Sequence, residues 1–186
     1  MLVYAGLHSL GEAMLAQGQL PEGEQLLNEA LDLMEAHGDH CGGSFTLFSL
    51  GHVALGRGQL TRAVALQLDS LALRRLIGDP LGVSHCLDEL ACVATAAGDL
   101  LRAARLFAAA AALRAPTGGG VWPLRSADRE RALAATRIGL GEAAWEAEWA
   151  VGRGLSLDEA LAEAMASTSP AARGAPEPGM SSRRRL

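Results

Sequence analysis

The chain has 186 residues, a formal net charge of −5, and a hydrophobic content of 49%. A chain of this length and apolar content can bury a sizeable core, which excludes wholesale disorder, and its acidic balance excludes a general nucleic-acid surface. Aromatic residues make up only 4% of the sequence, whereas alanine and leucine dominate, and this bias favours helices over strands.

The cysteines and the N-terminus indicate a cytoplasmic location. Cys41, Cys86 and Cys92 form no C-x-x-C pair, and an odd number of cysteines without a disulfide framework is typical of a reducing compartment. No basic segment precedes an apolar core at the N-terminus, so no signal peptide is expected. The longest uncharged stretch, residues 40–56, is rich in glycine and too short to span a bilayer, so we expect no membrane partner.

The sequence repeats itself with a period of 40 residues. Residues 7–39, 47–79 and 87–119 align without gaps, and the same residue types recur at fixed positions. The matching sets are Leu7, Leu47 and Leu87; Leu10, Leu50 and Leu90; Gly18, Gly58 and Gly98; Leu26, Leu66 and Leu106; and Gly38, Gly78 and Gly118. Agreement at so many positions in one register predicts three structural repeats.

Each repeat has the pattern of two helices. In the first repeat, Leu7 and Leu10 lie at helical spacing, and Gly18 stands where a helix-ending residue with positive φ is expected. A small residue at Gly11, Gly51 or Ala91 is expected to let a neighbouring helix approach closely. In the second repeat, Thr61 is a candidate cap for the second helix. Stacking of the hairpins would then supply a core that no single repeat can bury.

The pattern resembles the tetratricopeptide repeat, in which a large apolar residue, Leu-Gly and several small residues recur at fixed offsets. The residues that carry the resemblance are Leu47, Leu50, Gly51, Ala54, Ala63, Gln67 and Ser70, and in the next repeat Leu87, Leu90, Ala91, Ala94, Ala103, Phe107 and Ala110. The resemblance implies an all-α solenoid of about three helical hairpins, with a concave and a convex side. The unit exceeds the usual length of about 34 residues. We expect the additional residues, such as 40–43, in glycine-rich loops after the second helix.

The C-terminal third departs from the repeat. The sequence divides into three hairpins over residues 1–115, a loop over 116–125, capping helices over 126–167 and a disordered linker over 168–186. Ser126 or Asp128 is expected to cap the first of these helices, and Ser156 with Glu159 forms a capping box for the last. Trp145 and Trp149 share a helix face, and we expect them to anchor this segment on the end of the array.

Residues 141–160 resemble the end of the helical-repeat region in large bacterial ATP-dependent transcriptional regulators of the LuxR type. Residues 179–183 resemble the opening of the helix-turn-helix domain with which many of these regulators end. These 186 residues contain no phosphate-binding G-x-x-x-x-G-K-[ST] motif and no complete helix-turn-helix. The resemblance therefore implies the interaction or sensor part of a regulator, with neither ATP hydrolysis nor nucleic-acid binding by this chain.

By analogy with the repeat family, polar and aromatic residues of the first helices are expected to face the concave groove and to bind a partner. These residues are His8, Glu12, Phe45, Phe48, His52, His85, Asp88 and Cys92. A metal site from His52, Cys92 and a carboxylate is conceivable. No H-E-x-x-H or C-x-x-C motif supports it, however, and no G-x-S-x-G motif indicates a nucleophile. We expect no metal, no cofactor and no catalytic residue.

Three functions remain open at this stage. The first is a non-catalytic scaffold whose groove binds a protein, a peptide or a neighbouring regulator domain. The second is a small-molecule sensor with a pocket between the array and the helix of Trp145 and Trp149. The third, a metal-dependent enzyme, has no support from individual residues.

Overall fold

The computed structural model describes residues 2–166, and the regular secondary structure of this range is entirely helical. Its helices are α1 (Leu2–Ala16), α2 (Leu20–Ala36), α3 (His40–Gly56), α4 (Leu60–Leu76), α5 (Pro80–Ala97), α6 (Leu100–Arg114), α7 (Ser126–Leu140), α8 (Glu142–Gly154) and α9 (Leu157–Met165). None of these helices has both the length and the apolar character that a membrane crossing requires. The linker predicted for residues 168–186 lies outside the described residues.

The helices of the repeats end where the glycines predict. Gly18, Gly38, Gly58, Gly78, Gly98 and Gly118 all have a positive φ, between 65° and 81°. Only glycine adopts this left-handed conformation without a steric penalty, so a glycine at every twentieth position allows the chain to turn between helices. The start of α4 differs from the prediction: the capping position is Gln59, without a side-chain hydrogen bond, and Thr61 lies inside the helix.

The prediction that residues 40–43 form a loop is wrong. These residues are the first turn of α3, because the Asp39 side chain accepts a hydrogen bond from the Gly42 backbone amide at 2.9 Å. Asp79 caps α5 in the same way, at 2.8 Å from the Gly82 amide. The additional residues of each repeat therefore extend its helices, and the turns between helices stay short.

Consecutive helices pack as the hairpins α1/α2, α3/α4 and α5/α6, and the hairpins stack on one another. Gly51 permits the close approach predicted for it, since a Cβ there would lie 2.5 Å from Nε2 of Gln67. The largest core cluster includes Leu87, Leu90 and Phe107, each no more than 2% exposed. This arrangement is a tetratricopeptide-like helical solenoid, as the sequence predicts.

The helices α8 and α9 pack against α6 and cover the end of the array. Trp145 is buried, and its ring centroid lies 4.8 Å from that of Trp149, which packs against the main core cluster. The predicted capping box of Ser156 and Glu159 is present at the start of α9. The prediction for α7 is wrong: neither Ser126 nor Asp128 caps it, because Arg125 occupies the capping position without a side-chain bond.

Candidate functional site: the groove of α1, α3 and α5

The first helices of the three hairpins, α1, α3 and α5, line one face of the solenoid, called the groove below. All eight residues predicted to line it lie on these helices. Four of them, Phe48, His85, Asp88 and Cys92, are buried, with exposed fractions of 3–6%. This burial was not predicted. Residues 120–129, for which the sequence predicts a loop and the start of a capping helix, contribute to it by contacting Phe48, His85 and Asp88.

Residues 120–129, called the crossing segment, run over the groove. Trp122 lies at the centre of an aromatic cluster, with ring centroids 5.7 Å from Phe45, 6.2 Å from Phe48 and 5.7 Å from His85. The carbonyl oxygen of Gly120 lies 3.1 Å from Nε2 of His85, at hydrogen-bonding distance. The indole of the segment thus contacts both α3 and α5, and its backbone is held by α5.

Charged side chains continue this contact onto all three helices. The Arg125 guanidinium donates to the Glu12 carboxylate of α1 at 3.2 and 3.4 Å, and Asp128 lies 3.4 Å from Nε2 of His52 on α3. Arg129 donates to Asp88 of α5 at 2.7 Å. The crossing segment therefore places a basic, an acidic and a second basic side chain against polar side chains of the first, second and third repeats, in that order.

Arg74 supports the aromatic cluster from α4. Its guanidinium lies 4.5 Å from the ring centroid of Phe45 and 5.5 Å from that of Phe48, and the residue is only 1% exposed. Asp79 accepts a hydrogen bond from it at 2.9 Å, which balances the buried charge. Cation–π contacts of this kind hold the two rings in position for Trp122.

Burial governs the electrostatics of the groove. It raises the pKa of the Asp88 carboxyl, against the opposing effect of the Arg129 and Arg114 guanidinium groups. It lowers the pKa of both His8 and His85, because a charged imidazole is poorly solvated there. These two histidines therefore favour the neutral form in the folded chain.

This preference predicts that the folded chain loses stability as the pH falls below about 6.5, the ordinary pKa of histidine in an unfolded chain. In that range the unfolded chain takes up protons that half-buried His8 and buried His85 resist, so the free energy of unfolding decreases until the lowered pKa of the folded chain is passed. Urea unfolding at about pH 7.5 and about pH 5.5 gives the free energy of unfolding at each pH. The difference between the two values should be smaller in the double variant His8→Asn/His85→Gln, and the variant His40→Asn, at an exposed histidine, is the control. An unchanged difference in the double variant would contradict the assignment.

The cysteines differ in access. Cys41 is exposed, whereas Cys86 and Cys92 are buried. Burial raises the pKa of the Cys86 thiol to about 11, and burial together with Glu89 and Asp88 raises that of Cys92. Both buried thiols are thus poor nucleophiles in the folded chain.

Cys92 lies beneath α7. On one face of α5 it stands between Asp88, which binds Arg129, and Thr95, whose hydroxyl lies 2.8 Å from that of Thr136. Both of these partners belong to α7, and residues three and four apart share a helix face. The reactivity of Cys92 therefore reports whether α7 is in place.

The sequence also suggested a metal site in the groove and a small-molecule pocket beside the C-terminal helices. Within residues 2–166, no group of three or more histidine, cysteine and acidic side chains is placed to hold a metal ion. A cavity of about 220 Å³ does lie between the array and the C-terminal helices, but Trp145 and Trp149 do not line it. Its walls come from α5, α6, Pro116, the turn of residues 155–156 and the start of α9. It is smaller than the usual ligand pocket of about 300–1,000 Å³.

Sequence reasoning missed Trp122, Arg125 and Arg129, and took Asp128 for a helix cap. One signal pointed to them: a lone tryptophan in a Gly-Pro segment, followed by basic and acidic residues at short spacing. A large aromatic side chain in such a segment usually finds a docking site, because its exposure to water is costly.

The fold and the groove define a helical-repeat protein, and a comparison with known families agrees. Residues 3–76, which span α1 to α4, match the family model of the tetratricopeptide repeat. The match supports a tetratricopeptide-repeat protein, a class that generally mediates protein–protein interaction and is typically non-catalytic. No curated protein and no solved structure matches the chain.

Proposed function

We propose that this chain is a non-catalytic scaffold that binds a protein partner through the groove of α1, α3 and α5. The observation that carries the proposal is the row of charged and polar groups at equivalent repeat positions, Glu12 on α1 and His52 on α3, which already bind a helical segment through its charges. A surface with this spacing suits a peptide or helix better than a small molecule.

Charge reversal in the groove tests this proposal. Glu12→Arg removes the carboxylate that pairs with a cation, and the same change at exposed Glu29 of α2 is the matched control on the opposite helix layer. Proteins recovered from source cells with the wild-type chain and both variants are compared by mass spectrometry. We expect a partner that Glu29→Arg retains and Glu12→Arg loses. Equal recovery by both variants would place binding outside the groove.

The same proposal extends to the setting of the chain: the repeat region of a bacterial transcriptional regulator of the LuxR type, acting in the cytoplasm without contacting nucleic acid. The support for this setting is the resemblance of residues 141–160 to such regulators. An immunoblot of source cells with an antibody against residues 2–166 tests it. A band several times larger than this chain is the expected result, and a band of 19.3 kDa would indicate a free-standing adaptor instead.

A small-molecule sensor is the second candidate, favoured by the 220 Å³ cavity that Leu87, Leu113 and Leu157 help to line. A thermal-shift screen with metabolites separates the two functions, because a ligand that binds only the folded state raises the unfolding temperature. A shift that Ala109→Leu abolishes, by filling the cavity, would favour the sensor.

A further inference from the structure

The groove is already occupied by part of the same chain. The crossing segment presents an indole at Trp122, a guanidinium three residues later at Arg125, a carboxylate at Asp128 and a guanidinium at Arg129. Each of these groups meets a complementary group of the groove: the aromatic cluster, Glu12, His52 and Asp88 in that order.

The contacts that hold the segment differ in kind from those that hold α8. In α7 only Thr136 is fully buried, and Ala132 and Leu133 pack half-buried against the core. Ahead of them, the ion pairs of Arg125 and Arg129 join the start of the helix to the groove. In α8, Trp145 is buried, and Gly152 lies so close to the Arg105 backbone that a Cβ would clash with it. The side chains of these two ion pairs are only 7–15% exposed. Their attraction is largely offset by the hydration that the charges lost on burial and regain when the segment leaves, so the ion pairs add little to the net free energy of opening.

The chain also permits such opening. Gly118 and Gly119 precede the segment and Gly120 is its first residue, and three consecutive glycines allow the backbone to change direction at low steric cost. The helices α8 and α9 hold the chain on α6 independently of the groove contacts. The segment can therefore leave the groove while both of its flanks stay attached.

We propose that the crossing segment is a releasable internal occupant of the groove, and that the external partner is a protein segment with the same order of groups. That order is an aromatic side chain followed by an arginine at the third, an acid at the sixth and an arginine at the seventh position after it. This inference rests on the proposed function of the groove. It follows that a partner must compete with residues 120–129, whose covalent attachment gives them an effective concentration of about millimolar.

The test uses the full chain and a fluorescein-labelled peptide with the sequence of residues 119–131. Arg125→Ala/Asp128→Ala weakens the internal contact and leaves every groove residue intact, and adding Trp122→Ala removes the aromatic contact as well. The control Arg137→Ala/Glu142→Ala removes an exposed ion pair at the far end of α7. Fluorescence anisotropy measures peptide binding, and the alkylation rate of Cys92, followed by mass spectrometry, measures release of the segment. Circular dichroism confirms that each variant is folded, and the double variant serves if the triple variant is not.

We expect the peptide to bind the weakened variants about tenfold or more tightly than the wild-type and control chains, with faster alkylation of Cys92. A peptide of scrambled sequence should not bind. Equal binding of the scrambled peptide would overturn the proposed order of groups. Slow alkylation of Cys92 together with no peptide binding would show that the segment is a permanent part of the fold.

The proposed function is judged separately by the Glu12→Arg comparison. If that variant loses a partner that Glu29→Arg retains, a failed peptide experiment overturns only the internal-occupant inference. If Cys92 becomes reactive, no peptide binds and Glu12→Arg loses nothing, then both proposals fail.

Discussion

Replacing Leu50 with alanine is expected to lower the free energy of unfolding by about 2–5 kcal/mol. Leu50 is 2% exposed, on the face of α3 that packs within the array, and its removal would leave a cavity that rigid neighbouring helices cannot fill. Chemical denaturation followed by circular dichroism at 222 nm would measure the change, with the slope of the transition checking that unfolding stays cooperative.

The repeat supplies a matched control for this substitution. Leu10 occupies the equivalent position on α1 but is 46% exposed, because no hairpin packs against that side of α1 within the described residues. Leu10→Ala is therefore expected to cost less than about 1 kcal/mol. Equal losses at Leu10 and Leu50 would contradict the stacking order of the hairpins.

Replacing Arg114 with methionine is expected to destabilise the chain by about 3 kcal/mol at neutral pH. Arg114 and Asp88 are both buried, and the guanidinium donates to the carboxylate at 2.6 Å. Methionine keeps much of the volume but leaves the buried carboxylate with Arg129 as its remaining partner, at 2.7 Å. The loss would be measured by urea unfolding.

The pH dependence identifies the cause of this loss. Burial already raises the pKa of Asp88 in the folded chain, and Arg114 opposes that rise. Removing Arg114 is therefore expected to raise the pKa of Asp88 further. A carboxyl with a raised folded pKa stabilises the fold only when protonated, so the loss should shrink as the pH falls toward about 5.

Two variants complete the comparison. Adding Asp88→Asn to Arg114→Met removes the buried charge and should recover part of the loss at neutral pH. The control Arg137→Met breaks an exposed pair with Glu142 and should leave the transition midpoint unchanged. A loss in Arg114→Met that is independent of pH, and that Asp88→Asn does not relieve, would point to packing alone.

The sequence was sufficient for the elements whose signals are local. Gly18 and its equivalents Gly58 and Gly98 end the first helix of each hairpin because only glycine adopts positive φ freely, and the box of Ser156 and Glu159 is complete within four residues. It was misleading at residues 40–43, where the glycines indicated a loop. Asp39 caps the segment and the preceding hairpin packs on it, and these two effects outweigh the low helix propensity of Gly42 and Gly43.

The candidate site divides in the same way. The 40-residue register by itself determined that Glu12, His52 and Cys92 are equivalent and that the polar groups near them share one face, because equivalent positions of stacked repeats point in the same direction. Only the tertiary structure decided that this face is covered. The pairing of Arg125 with Glu12 joins residues far apart in the chain, and no local pattern encodes such a contact. It depends on where α8 and α9 attach to α6, and so on how the whole array packs.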